Sequence, residues 1–118
     1  MLRQEIVLQI KKEALNYLGN KYDHTHFNCM TFVRSVYEKV GLKLPPLYLN
    51  VTYSSLNNNA EGFIIYLKRK GLNNTKRFTH AGIILDRLTC IHCSYYSGGM
   101  VVLTGMKELL KDYDIAGN

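Results

Sequence analysis

Apolar residues at Ile6, Val7, Ile10, Ala14, Tyr17 and Leu18 recur at helical spacing, and Gly19-Asn20 supplies a stop, which predicts a first helix over about residues 3 to 18. After the polar stretch Lys21 to Asn28, a second 3.6-residue pattern runs through Cys29, Phe32, Val33, Val36, Tyr37 and Val40. Asn28 is its natural N-cap and Gly41 its end. Leu44-Pro45-Pro46-Leu47 cannot continue a helix, because proline lacks the donor and restricts the residue before it, so a loop or extended segment is expected to about Leu56. Asn57 to Asn59 then read as the cap of a short third helix. Phe63, Ile64 and Leu67 form its apolar side, Glu61 sits near its positive end, Lys68 to Lys70 near its negative end, and Gly71 stops it. From Phe78 the texture changes to that of strands: His80 to Leu85, Leu88 to Tyr96 and Met100 to Leu103, with turn signals at Asp86-Arg87 and Ser97-Gly98-Gly99. A last helix is expected from about Gly105 to Tyr113, with Thr104 as N-cap. Helices first and strands after predict an α+β fold, the N-terminal helices packed on a small antiparallel sheet.

A chain of 118 residues with 47% apolar content has room for one core, so residues 1–118 read as a single domain. Its composition is neither that of a disordered nor of a collagen-like chain. The longest apolar runs, such as Gly82 to Leu85 and Met100 to Leu103, fall far short of the roughly 20 residues that span a bilayer. Glu5, Lys11, Lys12 and Glu13 interrupt the N-terminus, so it does not read as a signal peptide. The chain as written is expected to start in the cytoplasm and to reach any outside target by a specialised route or as part of a longer protein. The formal net charge of +6 admits an anionic partner. The basic window Lys68, Arg69, Lys70, Lys76 and Arg77 holds no aromatic residue to stack on bases, and reads as a solvated helix end or a steering surface; neither nucleic acid nor membrane is expected as partner.

Chemistry enters with the cysteines. There are three, which suggests no disulfide framework. Cys29 stands at a predicted helix start, where free amides and the helix dipole favour thiolate over thiol, as a nucleophile requires. A nucleophile also needs a base, and His24, His26, His80 and His92 are available. A three-residue loop Leu85 to Arg87 would pair Ile84 with Leu88 and set His80 directly across from His92; a two-residue loop would oppose His80 to Cys93 instead. Asp86-Arg87 lacks the positive-φ residues a two-residue hairpin wants, which favours the longer loop and histidines that share a face. The rival chemistry is a metal site. Cys90 and Cys93 form Cys-x-x-Cys around His92, but a strand points Cys90 and His92 to one face and Cys93 to the other, so no metal or other cofactor is expected. His24 and His26 lie in the loop before Cys29, and Tyr48 and Tyr53 are read as core.

Leu18-Gly19 and Tyr22, Phe27-Asn28-Cys29 opening a helix that ends Val40-Gly41 before Leu44-Pro45, then His80-Ala81-Gly82-Ile83 and Ile91-His92, resemble the NlpC-type papain-like cysteine peptidases over about residues 14 to 103. The resemblance implies a papain-like core in which Cys29 is the nucleophile, His80 the base and His92 the residue that orients it. Tyr22 would line the site and help the oxyanion, and Asn28 would take part in substrate recognition. Typical members read Phe-Asp-Cys-Ser-Gly where this chain has Phe27-Asn28-Cys29-Met30-Thr31, and the Asp and Ser of that motif help bind the muropeptide stem. That departure touches the substrate-binding part of the motif and leaves the catalytic part in place; taken as a whole, the resemblance implies a cysteine peptidase or amidase acting on peptidoglycan stem peptides. As a delivered antibacterial toxin or effector domain it would have an immunity protein as partner. The alternatives are a papain-like toxin that cleaves or deamidates a cytosolic protein, or a non-catalytic or metal-binding module.

Overall fold

The computed structural model of the chain describes residues 3–42, 60–71, 78–96 and 98–116. The elements follow in the order α1 (Arg3–Leu15), α2 (Cys29–Lys39), β1 (Ile64–Arg69), β2 (His80–Asp86), β3 (Thr89–Ser94), β4 (Met100–Gly105), α3 (Met106–Asp112) and β5 (Tyr113–Ile115). The strands form one antiparallel sheet in the order β4-β3-β2-β1-β5. Phe32, Val33, Val36 and Tyr37 of α2 are fully buried, as are Ile10 and Ala14 of α1, and the central strands bury Ile64, Ile65, Leu67, Ile83 and Ile91. This is the expected α+β arrangement of helices on a small sheet. No helix among the described residues is long and apolar enough to cross a membrane.

Both N-terminal helices lie where the periodicity places them, although α1 proper ends at Leu15 and continues only as turns. The expected third helix is instead the strand β1. Its run Ile64-Ile65-Tyr66-Leu67 is rich in β-branched and aromatic residues, and neighbours on opposite faces, Ile64 and Ile65, are both fully buried, so the alternation that would mark a strand is absent. The expected cap at Asn57 to Asn59, the segment around Pro45 with Tyr48 and Tyr53, and Lys76 and Arg77 lie outside the described residues. The last helix is shorter than its pattern and is followed by β5, which pairs Lys68 with Asp114 and Arg69 with Tyr113. Gly105, not Thr104, stands at the N-cap of α3.

The β2–β3 register also differs from the expectation. Ile84 pairs with Cys90 rather than Leu88, and Asp86 with Thr89, the odd residue Leu85 being absorbed as an irregularity. The Asp86 carboxylate accepts a hydrogen bond from Leu88 N–H at 2.8 Å, closing a tighter turn than the counted loop. The shift amounts to two positions, an even number, so every side chain keeps its face. His80 and His92 still share a face, but diagonally, and the register sets Gly82 opposite His92. A Cβ built on Gly82 would stand 2.7 Å from Cys90 Sγ and 3.1 Å from His92 Cβ, so the missing side chain makes room for the histidine pair.

Candidate active site

Because each strand is antiparallel to its neighbours, β1 and β3 end, and β2, β4 and β5 begin, at one end of the sheet. The start of α2 lies there too, so chemistry-bearing residues from distant parts of the chain converge. The strand edge also holds the segment before α2: Val101 O accepts from Gly19 N–H at 3.0 Å, Asn20 O from Val101 N–H at 2.9 Å, and Gly99 O from Tyr22 N–H at 2.8 Å. Asp23 and Phe27 then close a tight turn through paired backbone hydrogen bonds of 2.8 Å, with the Asp23 carboxylate accepting from Thr25 and His26 N–H.

Asn28 ends that turn and starts the helix. Its Oδ1 accepts from Met30 and Thr31 N–H at 3.0 and 3.1 Å, Thr31 Oγ1 accepts from Asn28 N–H, and Nδ2 donates to His24 O at 3.2 Å. This capping box fixes Cys29 as the first helical residue. The Asn28 side chain is engaged in the cap and the loop before it, while still bordering the cleft.

Cys29 is half-buried between two depressions. A cavity of about 190 Å³ on the sheet side is lined by His80, Cys93, Arg69, Tyr96 and Tyr113, among others. A more open cleft on the outer side, about 500 Å³, is bordered by His24, Asn28, Met30 and Arg34. Tyr22, Cys29 and Thr79 border both. Burial raises the Cys29 thiol above its ordinary value, while the N–H groups of Ala81, Met30 and Cys29 itself pull it back. The helix start thus acts in the expected direction, but the cost of desolvating a thiolate outweighs it. Burial pushes the other two thiols further, Cys90 up to about 12 and Cys93 to about 11. Tyr22 is also raised, by burial and then by the neighbouring Cys29 and Cys93, so its hydroxyl keeps its proton; it contacts His24 Nδ1 at 3.3 Å.

Behind Cys29 runs a chain of three side chains. His80 Nε2 lies 2.6 Å from His92 Nδ1, and His92 Nε2 lies 2.7 Å from Thr104 Oγ1. His80 stacks on Tyr113 with ring centroids 5.3 Å apart. Burial holds both imidazoles neutral, well below the usual histidine range, and proximity to His92 adds to the effect on His80. A neutral imidazole has one donor and one acceptor, so two proton arrangements satisfy the chain. In the first, His80 Nε2–H donates to His92, whose Nε2–H donates to the threonine hydroxyl; His80 Nδ1 is then a bare lone pair. In the second, the threonine hydroxyl donates and every proton is reversed, which leaves Nδ1 protonated. Only the first supplies a base.

The structure therefore brings Cys29, His80, His92 and Tyr22 to one place. It sets His26 apart, paired with Asp23 at 3.4 Å on the exposed loop, and puts Cys90 and Cys93 on opposite faces of β3. Among the described residues no group of three or more His, Cys, Asp or Glu side chains could hold a metal ion. Sequence reasoning missed Arg69, Thr79, Thr104 and Tyr113. The pattern along the chain reads Arg69 as part of a helix end and Thr104 as a helix cap; strand alternation from Ile65 through Leu67 carries Arg69 to the histidine face.

Comparison with solved structures explains the arrangement. The crystal structure of a lipoprotein-like protein of the NLP/P60 family from Staphylococcus aureus superposes at a TM-score of 0.70, with 23% identity, over 95% of this chain. The chain has the NLP/P60 fold. It spans 40% of that longer chain. No family model and no curated protein matches the sequence. The NLP/P60 fold is a papain-like α+β core, the architecture the motifs around Cys29 and His80 imply, and it accounts for a helix start facing the end of a sheet.

Proposed function

We propose that this protein is a cysteine-dependent amide hydrolase, a peptidase or amidase whose substrate is a peptidoglycan stem peptide. One observation carries the reading: Cys29, at the capped start of α2, and the His80–His92–Thr104 chain open on the same cavity. The NLP/P60 fold supports it, as do the motifs at Cys29 and His80.

In this mechanism Cys29 Sγ attacks the amide carbonyl carbon while His80 Nδ1 takes the thiol proton. Both groups are neutral at rest, so proton transfer accompanies attack. The Cys29 backbone N–H and the Tyr22 hydroxyl donate to the developing oxyanion. His80 then gives its proton to the departing nitrogen, the C–N bond breaks, and a thioester remains on Cys29. Water attacks the thioester with His80 as base, releasing the carboxylic acid and restoring the thiol. His92 holds the His80 ring and tautomer and shares the positive charge of the intermediate, and Thr104 sets the direction of the proton chain.

Incubating wild type and Cys29→Ala with bacterial sacculi and with soluble muropeptides, read by mass spectrometry, tests the reading. Fragments produced by wild type alone name the bond. Equal fragments from both proteins, or none from either, overturn it.

A further inference from the structure

The sheet-side cavity contains a cation that the hydrolytic mechanism does not use. Arg69, the last residue of β1, borders the same cavity as Cys29 and His80. Its guanidinium carbon lies 4.3 Å from the centre of the Tyr96 ring and 5.7 Å from that of Tyr113, close enough to oppose the rise that burial gives the Tyr113 hydroxyl. Rings of this kind engage the faces of a guanidinium, whereas its N–H donors radiate in its plane. The group is held in place with donors to spare.

No acid answers it. All nine Asp and Glu side chains belong to the described residues, and the ion pairs among them are Lys11–Glu61, His26–Asp23 and Lys111–Glu108. Neither depression beside Cys29 has an Asp or Glu in its wall, and the outer one adds Arg34. The residue before the nucleophile, an aspartate in the motif this chain resembles, is Asn28, which removes one more negative charge. A partly buried arginine, braced by aromatic rings, beside a nucleophile and facing no anion, is built to receive one from outside.

We propose that the sheet-side cavity is a carboxylate subsite with Arg69 as its cation, so that the protein acts on peptides carrying a carboxylate next to the amide presented to Cys29. This deepens the hydrolase reading and rests on it for the identity of the scissile amide. The carboxylate belongs either to the C-terminus of the peptide or to an acidic side chain.

The test titrates the Cys29→Ala protein, followed by NMR, with N-acetyl-Ala-Ala, its C-terminal amide, N-acetyl-Ala-Glu amide and inorganic phosphate. The free acid should bind at least about tenfold more tightly than its amide, and Arg69→Gln should erase that difference. Arg69→Lys, which keeps the charge but not the planar fork, should retain part of it and serves as the readout where Arg69→Gln fails to fold. Tight binding of the Glu-containing amide assigns the carboxylate to a side chain, and weak binding assigns it to the C-terminus; both support the subsite. Equal affinity for acid and amide together with weak binding of the Glu-containing amide, no binding of any carboxylate at about 10 mM, discrimination that survives both substitutions, or phosphate preferred over every carboxylate overturns it. Alkylation of wild type by iodoacetamide separates the two claims. A Cys29 that no reagent modifies counts against the hydrolase reading, while the titration still reports on the subsite.

Discussion

Lowering the pH from about 7.5 to about 5.5 sets the buried histidine pair against the unfolded chain. His80 is 6% exposed and His92 fully buried, and burial depresses both below the ordinary histidine value of about 6.5. Across that interval the unfolded chain takes up nearly one proton at each position, while the folded chain takes up neither. The unfolded state binds more protons, so stability is full above about pH 6.5 and falls as the pH drops, until the folded histidines themselves protonate. Each histidine contributes about 1.4 kcal/mol over the interval, and the pair together about 2.7 kcal/mol. That is a large share of the 5–15 kcal/mol typical of a domain. Urea denaturation at the two pH values should show this loss with an unchanged slope. His92→Gln should roughly halve the difference between the two pH values. A wild-type loss below about 1 kcal/mol would refute the assignment of two neutral buried imidazoles.

Other consequences follow from single contacts. Thr104→Val keeps the shape of the side chain but gives His92 Nε2 nothing to donate to; turnover should fall at least about tenfold, with Thr104→Ser restoring it, and kcat should carry the loss rather than KM. Gly82→Ala should destabilise the fold by about 1–3 kcal/mol in thermal or chemical denaturation, and should reduce activity as well, because its Cβ would press on Cys90 Sγ and His92 Cβ. Asn28→Ala, which removes the acceptor of two helix N–H groups, should cost about 1 kcal/mol, while Asn28→Asp should preserve most of that stability.

The parts of this protein that its sequence reveals are those in which one local rule decides. The amphipathic stripe from Phe32 to Tyr37, the Asn28 cap and the three strands after His80 each obey a short-range period, and the structure has them in place. β1 is hidden because burial of both its faces replaces alternation with a continuous apolar run that a helix would equally satisfy. β5 is hidden because three residues paired to a distant strand carry no pattern of their own. The site inherits both gaps. Cys29, His80 and His92 declare themselves through chemistry and motif, whereas Arg69 and Tyr113 meet only once β1 and β5 pair. Thr104 could serve as a cap or as a partner of His92, and the choice depends on the β3–β4 register, which opposes it to Cys90 on the histidine face.

Covalent attack by Cys29 is the step on which the proposed hydrolysis depends. Wild type incubated with soluble muropeptides, quenched in acid within the turnover time and measured as intact protein, should carry an acyl group of one product's mass, mapped by proteolysis to the peptide containing Cys29. Cys29→Ala should carry none and release no product. Product release by Cys29→Ala, or wild-type turnover with the acyl group on Cys93 or on no cysteine at all, would contradict it.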